Sequence, residues 1–458
     1  MAIPQFAAWA LEQEARALLA RLARVKPFAL QDSMLPAAAL LPESQIAIER
    51  FLIEGRRHLK SLVDGFIGWL HSPASALADA EEAQRRFTFL RLSFNRVLSH
   101  FDLFDGVITQ RGETETGVWL SGLDVASADA LYLRRGYYRI PPVICYLDRG
   151  VGASIRRART RLPGGGDNPV AIVKVPRERT VGSGIASSLF HEVGHQAAAL
   201  LGLVESLRPV LRGLAQGGRD SGAWQLWERW ISEIVADVWS LARVGVASTM
   251  GLIGVVSLPR PFVFRLNPRD PHPAPWIRVK LSGAFGRAFY PQFEWHRLMQ
   301  LWESYYPIEG VERDAREVFA SLERTIPALV AVVTNHRPQA LRGDSIIEAM
   351  DTAELHPHHL RALMHRWRTS PQEMYRARPI VAFAVIGQGR VDGGISPEEE
   401  STVVGKLLSY WALQSTLQAA GRCASTAARQ CECKTCSAHE KVATTNKRSM
   451  SCQQSAVM

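Results

Sequence analysis

The chain has 458 residues, 47% of them hydrophobic and 21% charged, a globular composition that excludes disorder or a fibre and leaves room for two or three domains. Its formal net charge is +10, but from residue 421 onward six Lys/Arg face two acids, so the rest of the chain carries +6. A surplus of that size aids solubility and does not by itself define a nucleic-acid binder. Cys145 is the only cysteine before Cys423, so no disulfide framework holds the body together. The opening stretch "MAIPQFAAWALEQEARALLARLARVK" interrupts its apolar residues with Glu12, Glu14, Arg16 and Arg21, as an amphipathic helix does and a signal peptide does not. The longest apolar stretch, Val244 to Pro259, falls short of the ~20 residues a membrane helix needs. A cytoplasmic protein without a membrane span is expected.

In chain order, residues 1–105 read as an N-terminal helical region. "LLPESQIAIERFLIEGRRHLKSLVDGFIGWLH" repeats apolar residues every three or four positions after Pro42 and Ser44, and "EEAQRRFTFLRLSFNRVLSHFDLF" continues the pattern. From about 116 to 180 the texture changes to short apolar runs divided by Gly and Pro: "GVWLSGLDV", "PPVICYL" and "NPVAIVKVP". The last predicts a strand, entered through the turn "LPGGGDN" and ended by Pro176. Helices are expected over 184–201 and 223–242, separated by the breaker-rich "GLVESLRPVLRGLAQGGRDSG". A Pro-rich segment follows and closes a core spanning 106–285. Residues 286–420 read as a C-terminal helical region whose last helix starts at Ser396-Pro397 with three acids in its first turn. Residues 421–458 form a cysteine-containing tail with too little apolar content to fold.

The chemistry concentrates in "SSLFHEVGHQAAALLGL". His191 and His195 stand four apart, hence on one face of a helix, where both imidazoles can meet one zinc ion. Glu192 between them is placed to act as general base on a metal-activated water. A hydrolytic zinc site needs a third protein ligand and one open position. On the tryptophan-crowded helix "WQLWERWISEIVADVWSLARVG", Glu233 and Asp237 are also four apart, and two such carboxylates repel unless a cation or proton donor joins them. If Glu233 ligates zinc, Asp237 can accept from the far nitrogen of a ligating histidine. Glu228 is the reserve ligand, and a solvated stripe partnered by Arg229 is the alternative. Further on, "DPHPAPWIRV" offers His272 followed six residues later by Arg278.

The order HEVGH, then Glu233-x-x-Ala236-Asp237, then His272-Pro273-x-x-x-x-Arg278 resembles that of gluzincin metallopeptidases, closest to the HtpX heat-shock peptidases and type I CAAX prenyl proteases. The resemblance covers roughly residues 170 to 280, and those families usually carry membrane helices that this chain lacks. It implies an α+β, mainly α fold: an active-site helix plus small sheet flanked by helical regions. It also implies one Zn2+ per chain on His191, His195 and Glu233, with Glu192 as general base and acid. Asp237 would orient a ligand, and His272 and Arg278 would line the site or support the transition state. The expected function is zinc-dependent hydrolysis of a peptide or protein substrate, held in extended form by "NPVAIVKVP" acting as an edge strand. The rival reading is a non-catalytic regulator or scaffold that keeps a zinc-binding peptidase fold, and Glu192 separates the two because a binding module needs no proton shuttle.

Other signals carry less. Gly182-Ser183-Gly184 imitates a dinucleotide loop, but Pro176 to Val181 separate it from its strand. From Arg134 to Arg161, eight arginines alternate with Tyr137, Tyr138 and Tyr146 against the single acid Asp148. That stretch is a candidate nucleic-acid surface, an acidic-substrate rim or a solvated face. Cys431-x-Cys433-x-x-Cys436 with His439 is a candidate second zinc site, although an unstructured tail of thiols is the simpler reading. His358, His359 and His365 read as the start of a surface helix.

Overall fold

The computed structural model describes residues 3–24, 35–112, 114–149, 152–162, 165–177, 182–267, 269–292 and 294–422. The tail cysteines and their candidate second zinc site lie outside these residues. Helices α1 (Gln5–Arg24), α2 (Pro42–Leu70) and α3 (Ala80–Ile108) form the first layer. The α2 helix enters through Pro42, and Asp79 caps α3 by accepting from the Glu82 amide at 2.9 Å. Leu52, Leu59, Val63 and Phe66 of α2 interleave with Phe87, Leu90, Phe94 and Phe101 of α3 in one apolar cluster.

After α4 (Thr114–Leu131) come β1 (Val143–Asp148), β2 (Ser154–Arg156) and β3 (Ala171–Pro176), ordered β1-β3-β2. The β1 and β3 strands run parallel with Val143 opposite Ala171, and β2 runs antiparallel with Ile155 opposite Val173. Alternation splits the sheet between two layers. Ile144 and Ile172 point into the α1–α3 cluster, while Val143, Cys145, Leu147, Val173 and Val175 join the main core. The expectation that "NPVAIVKVP" forms an edge strand is corrected: β3 is the central strand, and β2 holds the edge. Burial of β3 on both faces explains its nearly unbroken apolar run.

The chain continues through α5 (Ser183–Leu201), α6 (Leu203–Leu214), α7 (Ser221–Val244), α8 (Val246–Val256), α9 (Arg260–Val263), α10 (Pro275–Phe289), α11 (Glu294–Tyr305), α12 (Arg313–Thr334), α13 (Ile346–Met350), α14 (Pro357–Thr369), α15 (Pro371–Arg376) and α16 (Pro379–Val391). A last helix, α17, spans 397–422, and Ser396 and Glu399 cap it reciprocally. Helices take up 74% of the structure, so the fold is α+β and mainly α, with one small three-stranded sheet among the described residues. A single apolar cluster runs from Leu120 to Trp411, so the segment after 286 shares the core of the segment before it.

Two stretches read as broken are helical. "GVWLSGLDV" lies within α4, where Gly122 allows close approach to α17: a Cβ there would sit 2.4 Å from the Leu408 carbonyl oxygen. The breaker-rich linker contains α6, which carries Pro209 and still buries Leu203, Leu207 and Leu211 along one face. The apolar stretch from Val244 supplies α8, a buried helix, and no helix among the described residues is long and apolar enough to cross a membrane.

Candidate metal centre

The α5 helix lies under the sheet and against α7 and α8, and from Ser188 to Ala198 all but one of its residues are buried. Its start is fixed by Gly182, whose φ of 64° suits glycine, and by the Glu400 carboxylate of α17 packed beside it. Negative charge is favourable at that end of a helix. The crossing of α5 and α7 is set by Gly194, the fourth residue of HEVGH. A Cβ at Gly194 would meet the Ala236 carbonyl oxygen at 2.8 Å and Trp239 Cβ at 3.0 Å. Glycine inside a helix costs about 1 kcal/mol against alanine. Here it lets the two backbones approach until the side chains on either side of the crossing meet.

Those side chains are His191 and His195 from α5 and Glu233 and Asp237 from α7. Glu233 Oε2 lies 3.2 Å from His191 Nε2, 3.3 Å from His195 Nε2 and 3.1 Å from His272 Nε2. Three imidazoles thus converge on one carboxylate oxygen. On its other nitrogen, His191 Nδ1 is 2.7 Å from Asp237 Oδ1. Ionised carboxylates only accept, so in the metal-free site Nδ1 donates to Asp237 and Nε2 to Glu233, and the Nε2 proton is the one a cation would displace. Arg278 of α10 grips Asp237 with two prongs, Nε to Oδ2 at 2.7 Å and Nη2 to Oδ1 at 2.8 Å. The Arg278 guanidinium is thus committed to Asp237. Neither acid lies on a solvated stripe, because the Glu233 and Asp237 side chains are only 12% and 19% exposed.

The electrostatics follow from burial among these partners. Burial alone would lower His191, but the Asp237 carboxylate, with Glu233 on the far nitrogen, holds it up at about 9. Burial opposes ionisation of Glu233, yet hydrogen bonds from three imidazoles hold its carboxyl far below the usual range. Asp237 is held down likewise, with Arg278 outweighing burial. Glu192 is raised, chiefly by burial, with the charges of His191, His195 and His272 opposing and that of Glu233 adding to it.

A zinc ion fits these residues. With bonds of about 2.0–2.1 Å, tetrahedral ligands stand roughly 3.4 Å apart. The edges from Glu233 Oε2 to His191 and His195 Nε2, 3.2 and 3.3 Å, match that spacing, and the donor atoms of His191, His195 and Glu233 all lie within 4.8 Å of one another. Two imidazoles and a carboxylate are also a donor set suited to zinc.

His272 is the most exposed of the three imidazoles, at 43%, with its Nδ1 3.0 Å from Asp270 Oδ1. The sequence reading missed Asp270, although Asp-x-His with a bond from the His272 amide to Asp270 Oδ1 is a local turn signal. It also passed over Gly194, and over Gln196, whose Oε1 accepts from the Ala158 amide at 2.8 Å and ties the end of β2 to α5. Glu228, the reserve ligand, pairs instead with Arg212 at 3.0 Å. In the arginine-tyrosine stretch, Arg135 and Tyr137 bond Asp344 and Arg134 meets Asp351, so its first part fastens the loop before β1 to the segment 344–351. Searches of known families, curated proteins and solved structures find no match to this chain.

Proposed function

We propose that the protein is a zinc-dependent peptidase of the gluzincin kind. The observation that carries this reading is the convergence of His191, His195 and Glu233 at zinc-ligand spacing, with Glu192 next to His191 in the chain. His191, His195 and Glu233 would hold the metal. Bound there, zinc supplies Lewis acidity that polarises a scissile carbonyl and acidifies water.

The chain's own residues do the rest. Glu192, raised by burial, takes a proton from the attacking water and delivers it to the leaving amine. Asp237 keeps the proton of His191 on Nδ1 and so presents Nε2 to the metal, and the two-pronged Arg278 keeps Asp237 in place. Arg278 is thus a positioning residue. His272 is held by Asp270 on Nδ1, with Nε2 3.1 Å from Glu233 Oε2; were Glu233 to turn to a metal, that nitrogen would be free to donate to the developing oxyanion and stabilise the transition state. Glu192, buried next to His191, is the residue that distinguishes catalysis from a scaffold role, since a metal held for structure gains nothing from a proton shuttle.

The test is hydrolysis of a mixed peptide library by the zinc-loaded full chain, beside Glu192→Gln. Cleavage by wild type and its loss in Glu192→Gln, with zinc content unchanged, is the expected result. A wild type that binds zinc and cleaves nothing, or a Glu192→Gln protein that cleaves equally well, overturns the reading.

A further inference from the structure

Beyond the metal centre, the edge of the sheet combines an open strand with uncompensated positive charge. The β2 strand pairs with β3 on one side only, and no strand among the described residues covers its other edge. Ser154 and Arg156 are exposed there, and the strand's end is fastened to the residue after His195 through the Ala158–Gln196 bond. Directly beyond that bond opens a cleft of about 650 Å³, rimmed by Arg50, Arg139 and Arg159 and walled by Pro141 and Pro142. Among the described residues, Arg139, Arg156, Arg157, Arg159 and Arg161 have no acidic partner, whereas Arg134 and Arg135 of the same stretch do. The cleft holds a single acid, Glu43.

The backbone at this rim is also held in a costly shape. Arg159 has φ 63°, a left-handed conformation that residues other than glycine rarely adopt. It is kept by its amide bonding the Asn168 carbonyl at 2.8 Å, while the buried Asn168 side chain bonds the Arg156 and Arg157 carbonyls at 3.2 and 3.1 Å. Strain of this kind persists where the surrounding structure fixes it, and it clusters at ligand clamps.

We propose that the β2 edge and this cleft dock an acidic extended segment of the substrate. Main-chain pairing to β2 would orient the peptide along the metal centre, and Arg139, Arg156 and Arg159 would select Asp- or Glu-rich residues flanking the scissile bond. Acidic peptide is favoured over nucleic acid because the strand edge offers main-chain pairing that only a polypeptide matches. Tyr137 and Tyr138 are also withdrawn as stacking platforms, their hydroxyls bonding Asp344 and the Leu131 carbonyl.

The inference rests on the peptidase reading, and its test separates the two. Three fluorogenic peptides sharing one cleavable core, with Glu-rich, neutral or Lys-rich flanks, are cleaved by the zinc-loaded full chain and by Arg139→Glu/Arg159→Gly. Glycine accepts the φ of residue 159, so that change removes charge and leaves the turn intact. Anisotropy with the Glu192→Gln protein reads binding without turnover, and a single-stranded oligonucleotide serves as competitor. The Glu-rich flank is expected to lower KM about tenfold against the neutral one with kcat unchanged, a preference largely lost in the double variant and in half-molar salt. Equal KM for all three peptides, or a preference the double variant keeps, overturns the inference. So does an oligonucleotide that binds more tightly through the same arginines. Acidic peptide bound through those arginines but never cleaved keeps the docking surface and removes the peptidase reading.

Discussion

Replacing Gly194 by alanine tests whether the approach of α5 to α7 builds the metal centre. The added Cβ would lie 2.8 Å from the Ala236 carbonyl oxygen, 2.9 Å from Ala236 Cα and 3.0 Å from Trp239 Cβ. Ordinary carbon contacts are about 3.5–4.0 Å, so the helices must part by roughly half an ångström or more. Two backbones cannot turn aside as a flexible side chain would. Overpacking of this kind costs about 1–3 kcal/mol. Alanine's better helix propensity returns about 1 kcal/mol of that, leaving a net loss of order 1 kcal/mol. The effect on metal is larger in proportion, because ligand distances tolerate only about 0.2 Å. Zinc affinity is expected to fall at least tenfold. The control is Gly222→Ala in the first turn of α7, where a Cβ meets nothing within 4 Å. That change should leave stability equal or raised by up to about 1 kcal/mol. Urea denaturation of the metal-free proteins gives the stabilities, and competition with a chromophoric chelator gives the zinc affinities. A Gly194→Ala protein that matches Gly222→Ala in both would refute the packing argument.

Three further outcomes follow from the same geometry. Asp237→Asn removes the carboxylate that holds His191 Nδ1–H and leaves Arg278 without its partner, and zinc affinity measured by chelator competition should drop about 10–100-fold. In the metal-free protein His191 is held up at about 9, and it must give up a proton to bind a cation, so zinc uptake releases a proton and apparent affinity rises with pH until about 9. Calorimetry in buffers of different ionisation enthalpy reads that proton directly, and a buffer-independent heat at pH 7 would contradict it. Arg111, whose side chain is fully buried, pairs with the fully buried Asp124 at 2.9 Å, so Arg111→Ala should cost about 3–5 kcal/mol in urea denaturation.

How much of this was legible in the sequence depends on whether the signal was local. HEVGH and Glu233/Asp237 each encode one helix face, and a period of 3.6 is enough to see that each pair points the same way. Their meeting depends on a crossing of two helices, and the only trace of it in the sequence is Gly194 with Ala236, two small residues with no sign of what they touch. The strand at 171–176 was readable from its β-branched run, but its central place was not, since pairing partners are a tertiary property. The helices α4 and α6 were hidden for different reasons. The glycines of α4 make close contacts rather than turns, and Pro209 of α6 masks a buried leucine stripe. Arg278 could be found as a residue near the site, but its commitment to Asp237 required the placement of α10 beside α7.

The most direct test of the central claim is zinc per chain, by elemental analysis of the metal-replete full-length protein beside His195→Ala, Glu233→Ala and Glu192→Gln. One zinc in wild type, lost in the first two and retained in the third, is the predicted result. A wild type without zinc, or one whose zinc survives the loss of both His195 and Glu233, would contradict the account, and α5 and α7 would then be packing helices whose polar residues serve each other alone.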